Sequence, residues 1–281
     1  MQLSRRRWTQ IAGGAAMAAA AGCSKARKEG QVLIDHPRGN YRFVKGSGPY
    51  SSGAVAAPGY EVVHAIFHPL APLGAAFGFI EKHLKAAGRP IQGLCGMELR
   101  IPRALSIQDF NAFNQPYIDK LKQWDVHVQG LNPVARTNVA IAVMPVTEAS
   151  VYGFCYTVPS DAPPKTFVIA GAGELREGDL AEDLIVSRGD TSQSGLTAKA
   201  DRVLAIMSER LKAMELTWAD ATQSNIYTVH NIHPLMESTI LPRLGDAARH
   251  GVRWHYSHPP VLEIEYEMDV RGLRRELTVG V

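Results

Sequence analysis

Apolar residues at helical spacing in Phe77–Gly88, closed by Gly88-Arg89-Pro90, predict a helix in the first half of the chain. A strand-like run follows at Leu94–Ile101, and Ser106 is placed to cap a helix over Asp109–Trp124. β-rich runs at Thr137–Met144 and Val151–Val158 complete this series. The second half repeats the order. Phe167–Ala170 and Leu184–Ser187 read as a hairpin, and Ala198–Met214 as an amphipathic helix. Then come a strand at Asn225–Val229, a helix near Thr239–Ala248, and strands at Val252–Tyr256 and Val261–Val270. Within the last run, Leu262-Glu263-Ile264-Glu265-Tyr266-Glu267 alternates with period two and one polar face. The two long helices also align directly, Phe79-Ile80-Glu81-Lys82-His83-Leu84 with Ile206-Met207-Ser208-Glu209-Arg210-Leu211. An order of elements repeated at a near-constant offset implies two modules. Their boundary falls in the Pro-rich polar stretch Pro159–Lys165, giving modules over 41–158 and 166–281.

The bulk composition agrees with this division. The chain has 281 residues, 46% hydrophobic and 20% charged, enough for two globular units. The net charge is only +3, and part of it lies in Arg5-Arg6-Arg7, so no nucleic-acid partner is expected. Residues 1–23 read as an export signal: Ser4-Arg5-Arg6-Arg7-Trp8 precedes the weakly apolar Ile11–Met17. The paired arginines resemble the twin-arginine signature, which implies periplasmic delivery. The apolar segment is too short to span a membrane. Ala20-Ala21-Gly22-Cys23 resembles a lipobox, so membrane contact is expected only through lipidation of Cys23; ordinary cleavage after small residues is the alternative. Residues 24–40 are polar and read as a linker. Cys95 and Cys155 lie in apolar surroundings and read as small buried hydrophobes, with a disulfide between them left open.

Several segments carry a family resemblance. Gly48-Pro49-Tyr50-Ser51-Ser52-Gly53, Asp109-Phe110-Asn111-Ala112-Phe113-Asn114-Gln115-Pro116-Tyr117 and Asn132-Pro133-Val134-Ala135-Arg136-Thr137 occur in that order. In the second half stand Gly189-Asp190-Thr191-Ser192-Gln193, Ala248-Arg249-His250-Gly251-Val252 and Glu263-Ile264-Glu265. Together they resemble the RidA/YjgF family over most of residues 45–270. The resemblance implies an α+β fold of two tandem, chorismate mutase-like modules, each a mainly antiparallel sheet backed by two helices. It also implies assembly as a homotrimer, with clefts between modules. The match is incomplete: Tyr152 stands where the family places its acid, and the Ser-Gly-Gln turn is reduced to Ala170-Gly171-Ala172.

In that family an arginine holds a substrate carboxylate while an enamine or imine is hydrolysed. A planar guanidinium suits that task because it offers two parallel hydrogen bonds. Arg136 is therefore the expected carboxylate anchor, Asn114 and Tyr50 polar lining, Glu263 the group that positions water, and Arg249 the anchor of a second cleft. No cofactor and no metal are expected. His230-x-x-His233 and His255-x-x-His258 read as buried or interfacial histidines, since strand geometry would point each pair to opposite faces. The leading expectation is a hydrolytic deaminase for a small carboxylate-bearing enamine, imine or aminomuconate-like compound. A non-catalytic carboxylate-binding module and a chorismate-hydrolysing relative are the alternatives. RNA cleavage fits poorly with the weak charge and the export signal.

Overall fold

The computed structural model describes residues 32–162, 165–176 and 180–281. The leader, its paired arginines and Cys23 lie outside these residues. The expected linker ends earlier than residue 40. Leu33–His36 is already a strand (β1), and it pairs antiparallel with β2 (Tyr41–Val44). β3 (Gly53–Ala56) extends this meander.

The first half then builds a four-stranded unit. β4 (Tyr60–Pro72) leads into helix α1 (Leu73–Ala86), β5 (Leu94–Ile101) into α2 (Ile107–Gln123), and β6 (Ala135–Ile141) into β7 (Ser150–Pro159). Ser106 caps α2 as its sequence suggests, its hydroxyl accepting from the Asp109 N–H at 3.0 Å. In the second half, β8 (Phe167–Gly173) precedes α3 (Gln193–Ala213), whose N-terminus is capped by the Ser192 hydroxyl. β9 (Gln223–Tyr227) follows, then a chain of short helical turns over His233–His250, broken up by Pro234, Pro242 and the positive φ of Gly245. β10 (Arg253–His255), β11 (Ser257–His258), β12 (Glu267–Gly272) and β13 (Glu276–Val279) complete the chain.

One expected strand, Leu184–Ser187, is absent, and the strand expected over Val261–Val270 begins only at Glu267. Leu184–Ser187 contributes a single bridge, Leu175 to Ile185, beside a 3₁₀ turn at Glu182–Leu184. Leu262–Tyr266 is a turn and an extended link, with Glu263 at φ 68°. The alternation there has another origin. Ile264 packs with Phe110, Ile185 and Val261, and Tyr266 sits in the core under α3. The backbone N–H groups of Glu265 and Tyr266 donate to the buried Glu174 carboxylate at 2.7 and 3.0 Å instead of to a strand.

The strands form two mixed sheets, β1-β2-β3-β8-β12-β9-β10 and β11-β6-β5-β7-β4-β13. Sheet pairing therefore does not divide at residues 159–165. β3 from the first half pairs with β8, while β13 and β11 from the end of the chain pair with β4 and β6. The sheets pack face to face through Phe43, Ala54, Val62, Cys95, Cys155 and Val168, with both cysteines free. Helices cover the outer faces: α1 and α2 bury Ile80, Leu84, Tyr117 and Leu121 on one, and α3 buries Val203, Leu204 and Met207 on the other.

The inner faces are not wholly apolar. Along β12, Met268 and Val270 face α3, whereas alternate residues carry charge toward the other sheet. There Asp269 accepts from Tyr227, Asn225, Thr137 and Arg271, all within 2.9 Å. Arg271 in turn meets Glu98 at 2.7 Å, and Glu98 meets His64 at 2.5 Å. This buried charge network ties the two halves together.

Candidate active site

The turn that enters β6 does more than start a strand. The Asn132 side chain accepts from the Val134 N–H at 2.9 Å and donates to the Pro49 carbonyl at 2.7 Å. The Ser51 N–H donates to the Val134 carbonyl at 3.0 Å. These bonds hold the loop carrying Tyr50 against the start of β6. Across from it, Phe110, Asn114 and Tyr117 lie on the buried face of α2, at i, i+4 and i+7.

Arg136 sits where these elements meet, only 2% exposed. Its Nη2 donates to the Asn114 side-chain oxygen at 2.5 Å. The guanidinium stacks between aromatic faces, 5.0 Å from Tyr50 and 4.8 Å from Tyr117. Its Nη1 is buried without a hydrogen-bond partner, and so are the Asn114 Nδ2 and both amide atoms of Asn138 two residues along β6. Burial holds the Arg136 guanidinium below its ordinary value, and it pushes the Tyr117 hydroxyl up to about 12.

Tyr50, Phe110, Arg136 and Asn138 line a cleft of about 440 Å³ between the two halves of the chain, whereas Asn114, expected as polar lining, is buried behind Arg136. One wall is β6, α2 and the Tyr50 loop; the other is β8, the start of β12 and α3. The second wall supplies Glu267, which is 5% exposed, and Arg210, whose Nη1 donates to the Ala170 carbonyl at 2.7 Å. Burial raises the Glu267 carboxyl well above its ordinary value, and Asp269 and Glu174 raise it further, against the opposing pull of Arg210 and Arg136. The direction of this shift favours the protonated form of the Glu267 carboxyl. Gly171 makes room for it: a Cβ there would lie 2.0 Å from a Glu267 carboxyl oxygen. The reduced Ala170-Gly171-Ala172 segment retains the one residue that this carboxyl requires.

Three of the five expected residues, Tyr50, Asn114 and Arg136, come together here. Glu263 does not join them. It lies on the turn before β12, half-exposed, and pairs with Arg188 at 2.6 Å. Arg249 lies on the short helical turns, 81% exposed, paired with Asp246 at 3.0 Å. Tyr152 stacks on Arg100, 4.2 Å from its guanidinium, and lines no part of this cleft. Sequence reasoning missed Glu267, although it ends the same Glu-x-Glu-x-Glu alternation that contains Glu263. The signal available was the start of an apolar-alternating strand at Met268 and Val270, which makes Glu267 the first residue with a strand's fixed inward face.

Fold and cleft together define an α+β protein that buries an arginine with an open N–H across a cleft from a buried carboxyl. The model of the CnbZ family of 2-aminomuconate deaminases matches residues 33–277, and the chain belongs to this family. It is 42% identical to a 2-amino-5-chloromuconate deaminase of Comamonas testosteroni over 241 residues, which is 85% of this chain and 95% of that protein. A solved chorismatase structure aligns over 85% of this chain and 78% of its own, with 11% identity and a TM-score of 0.44, too slight a likeness to bear on function.

Proposed function

We propose that the chain is a hydrolytic deaminase of a 2-aminomuconate-like enamine, working without a cofactor in the cleft between its halves. The observation that carries this reading is the buried Arg136 with an unpartnered Nη1, on the same cleft as the buried Glu267 carboxyl. A substrate carboxylate would take the free N–H bonds of Arg136 and of the Asn138 amide, both on the cleft. That contact fixes the enamine beside Glu267 and removes much of the orientational barrier. Glu267 then donates its proton to the enamine carbon, and the C=C–NH2 unit becomes an iminium. Water attacks the C=N carbon while the Glu267 carboxylate takes a proton from it. The resulting carbinolamine moves its hydroxyl proton to nitrogen, the C–N bond breaks, and ammonia leaves a ketone behind. One water is consumed, and Glu267 ends protonated as it began. The test is ammonia release from 2-aminomuconate by the purified chain; tight binding without release would mark a carboxylate-binding module instead.

Gly171→Ala provides a check that removes no polar group. The added methyl displaces the end of the Glu267 side chain, a flexible group, so the fold should survive. Misplacement by about an ångström costs on the order of 10²-fold in rate. Turnover should fall by about that factor with little change in Tm.

We read the two halves as diverged copies of a RidA/YjgF-like module. The order β6-β5-β7-β4 in one sheet and β10-β9-β12-β8 in the other supports this, as does the same alternation of parallel and antiparallel pairs in both. Assembly as a homotrimer is part of the proposal, and light scattering should give the mass of three chains. Since both walls of the cleft come from one chain, specific activity should not fall as the protein is diluted. Export through the twin-arginine route is likewise proposed. Arg5→Lys with Arg6→Lys should leave a precursor in the cytoplasm, and normal export of that variant would sink the proposal.

A further inference from the structure

Two cations of the cleft are left without an anion. Among the described residues, no carboxylate oxygen lies within 4.0 Å of the Arg136 or Arg210 guanidinium. Other basic groups around the cleft differ. Arg202 donates to the Leu175 carbonyl at 2.6 Å and stands 3.8 Å from Glu209, and Lys45 is exposed to solvent. Arg136 comes from β6 of one sheet; Arg210 comes from α3, on the far side of the other, and is fixed by its bond to Ala170. The two guanidiniums therefore stand on opposite walls, each with N–H donors to spare, and Glu267 feels both of them. Arg136 is buried and Arg210 half-buried, and holding two unneutralised cations on one cavity is costly unless the ligand supplies the missing charge.

We propose that Arg210 is the anchor for a second carboxylate, so that the site selects dicarboxylates that bridge from Arg136 to Arg210 across Glu267. This rests on the deaminase reading, because it assigns Arg136 to the carboxylate next to the reacting carbon. It makes Arg210 a specificity-determining residue. The upward shift of the Glu267 carboxyl agrees with it, since a neutral acid between two cations would leave both of them free for the ligand. Were Glu267 ionised, it would neutralise one guanidinium, and a monoacid would satisfy the other.

The experiment compares muconate (hexa-2,4-dienedioate) with sorbate (hexa-2,4-dienoate), which differ only in the second carboxylate, by calorimetric titration of the full chain. Wild type should prefer muconate by about 10- to 100-fold, the range expected for hydrogen bonds to a charged group. Arg210→Gln keeps a donor for the Ala170 carbonyl but loses the charge. It should reduce muconate binding to the level of sorbate and leave sorbate binding unchanged. Equal loss of both ligands, or retention of the muconate preference, would overturn the assignment. Should Arg210→Gln not fold, Arg210→Lys decides by the same criterion, because a point charge cannot reproduce the planar fork: a selective loss for muconate supports the anchor, and an equal loss for both ligands overturns it. Arg136→Ala separates this question from the broader reading. If Arg136→Ala binds both acids as wild type does, Arg136 is not an anchor and the two-anchor assignment falls with it; if wild type binds neither, the carboxylate cleft itself is wrong. If only the Arg210 contrast fails, the cleft stands and the second anchor falls.

Discussion

Glu267→Gln is expected to lower ammonia release by about 10²–10⁴-fold, the usual worth of a positioned general acid–base group. Affinity for a non-reacting carboxylate should hardly change, because the amide fills the same space beside Gly171 and leaves Arg136 untouched. The same substitution has an opposite effect on stability. The folded protein holds the Glu267 proton far more tightly than an unfolded chain would, where the group titrates near 4.5. Above that ordinary value the folded state carries more protons than the unfolded one, so its stability declines as pH rises. Gln has no proton to lose. The Tm of the variant should therefore improve on wild type increasingly as pH is raised from about 4 to about 8. A group whose removal stabilises the fold and stops the chemistry would be there for the chemistry. If turnover survived in the variant, another acid would have to be sought.

Arg136→Ala should weaken binding of a substrate-like carboxylate by about 2–5 kcal/mol, as when one partner of a buried charged pair is truncated. Arg136→Lys should not restore it. The present side chain is sandwiched by Tyr50 and Tyr117 and bonded through Nη2 to Asn114, and an ammonium can neither stack in that slot nor keep both bonds. Calorimetric titration of both variants with one non-reacting carboxylate measures this directly. Tight binding by Arg136→Ala would move the anchor elsewhere, with Arg210 the next residue to test.

Much of this half of the site was legible because its motif is local. Phe110, Asn114 and Tyr117 recur at helical spacing, and Ser106 marks the start of their helix, so one face of α2 could be read directly. β5 was equally plain, an apolar run of ordinary strand length. β4 was not recognised, because its 13 residues include three that argue against a strand: His64, His68 and Pro69. His64 is accommodated only because Glu98 and Glu276, far apart in sequence, flank it in the folded protein. The opposite wall depended on the same kind of information. Glu263, Glu265 and Glu267 share one polar spacing, but what separates them is non-local. Glu263 meets Arg188, Glu265 meets His230 at 2.7 Å, and only Glu267 is drawn under Gly171. Nor could a repeat of elements reveal that β3 and β13 pair outside their own halves, since hydrogen-bond partners between sheet edges leave no periodic trace.

That exchange of strands sets a schedule for biosynthesis. β12 lies between β8 and β9, and β13 closes the edge of the other sheet, yet both follow every other described strand in sequence. A nascent chain halted near residue 260 already holds Tyr50, Asn114, Arg136 and Arg210 but has no Glu267. Its β8 and β9 lack the strand that should separate them, and their open edges invite pairing with other chains. Clipping or premature termination in this region should therefore yield an aggregating polypeptide, and the cleft can close only after β12 has been made.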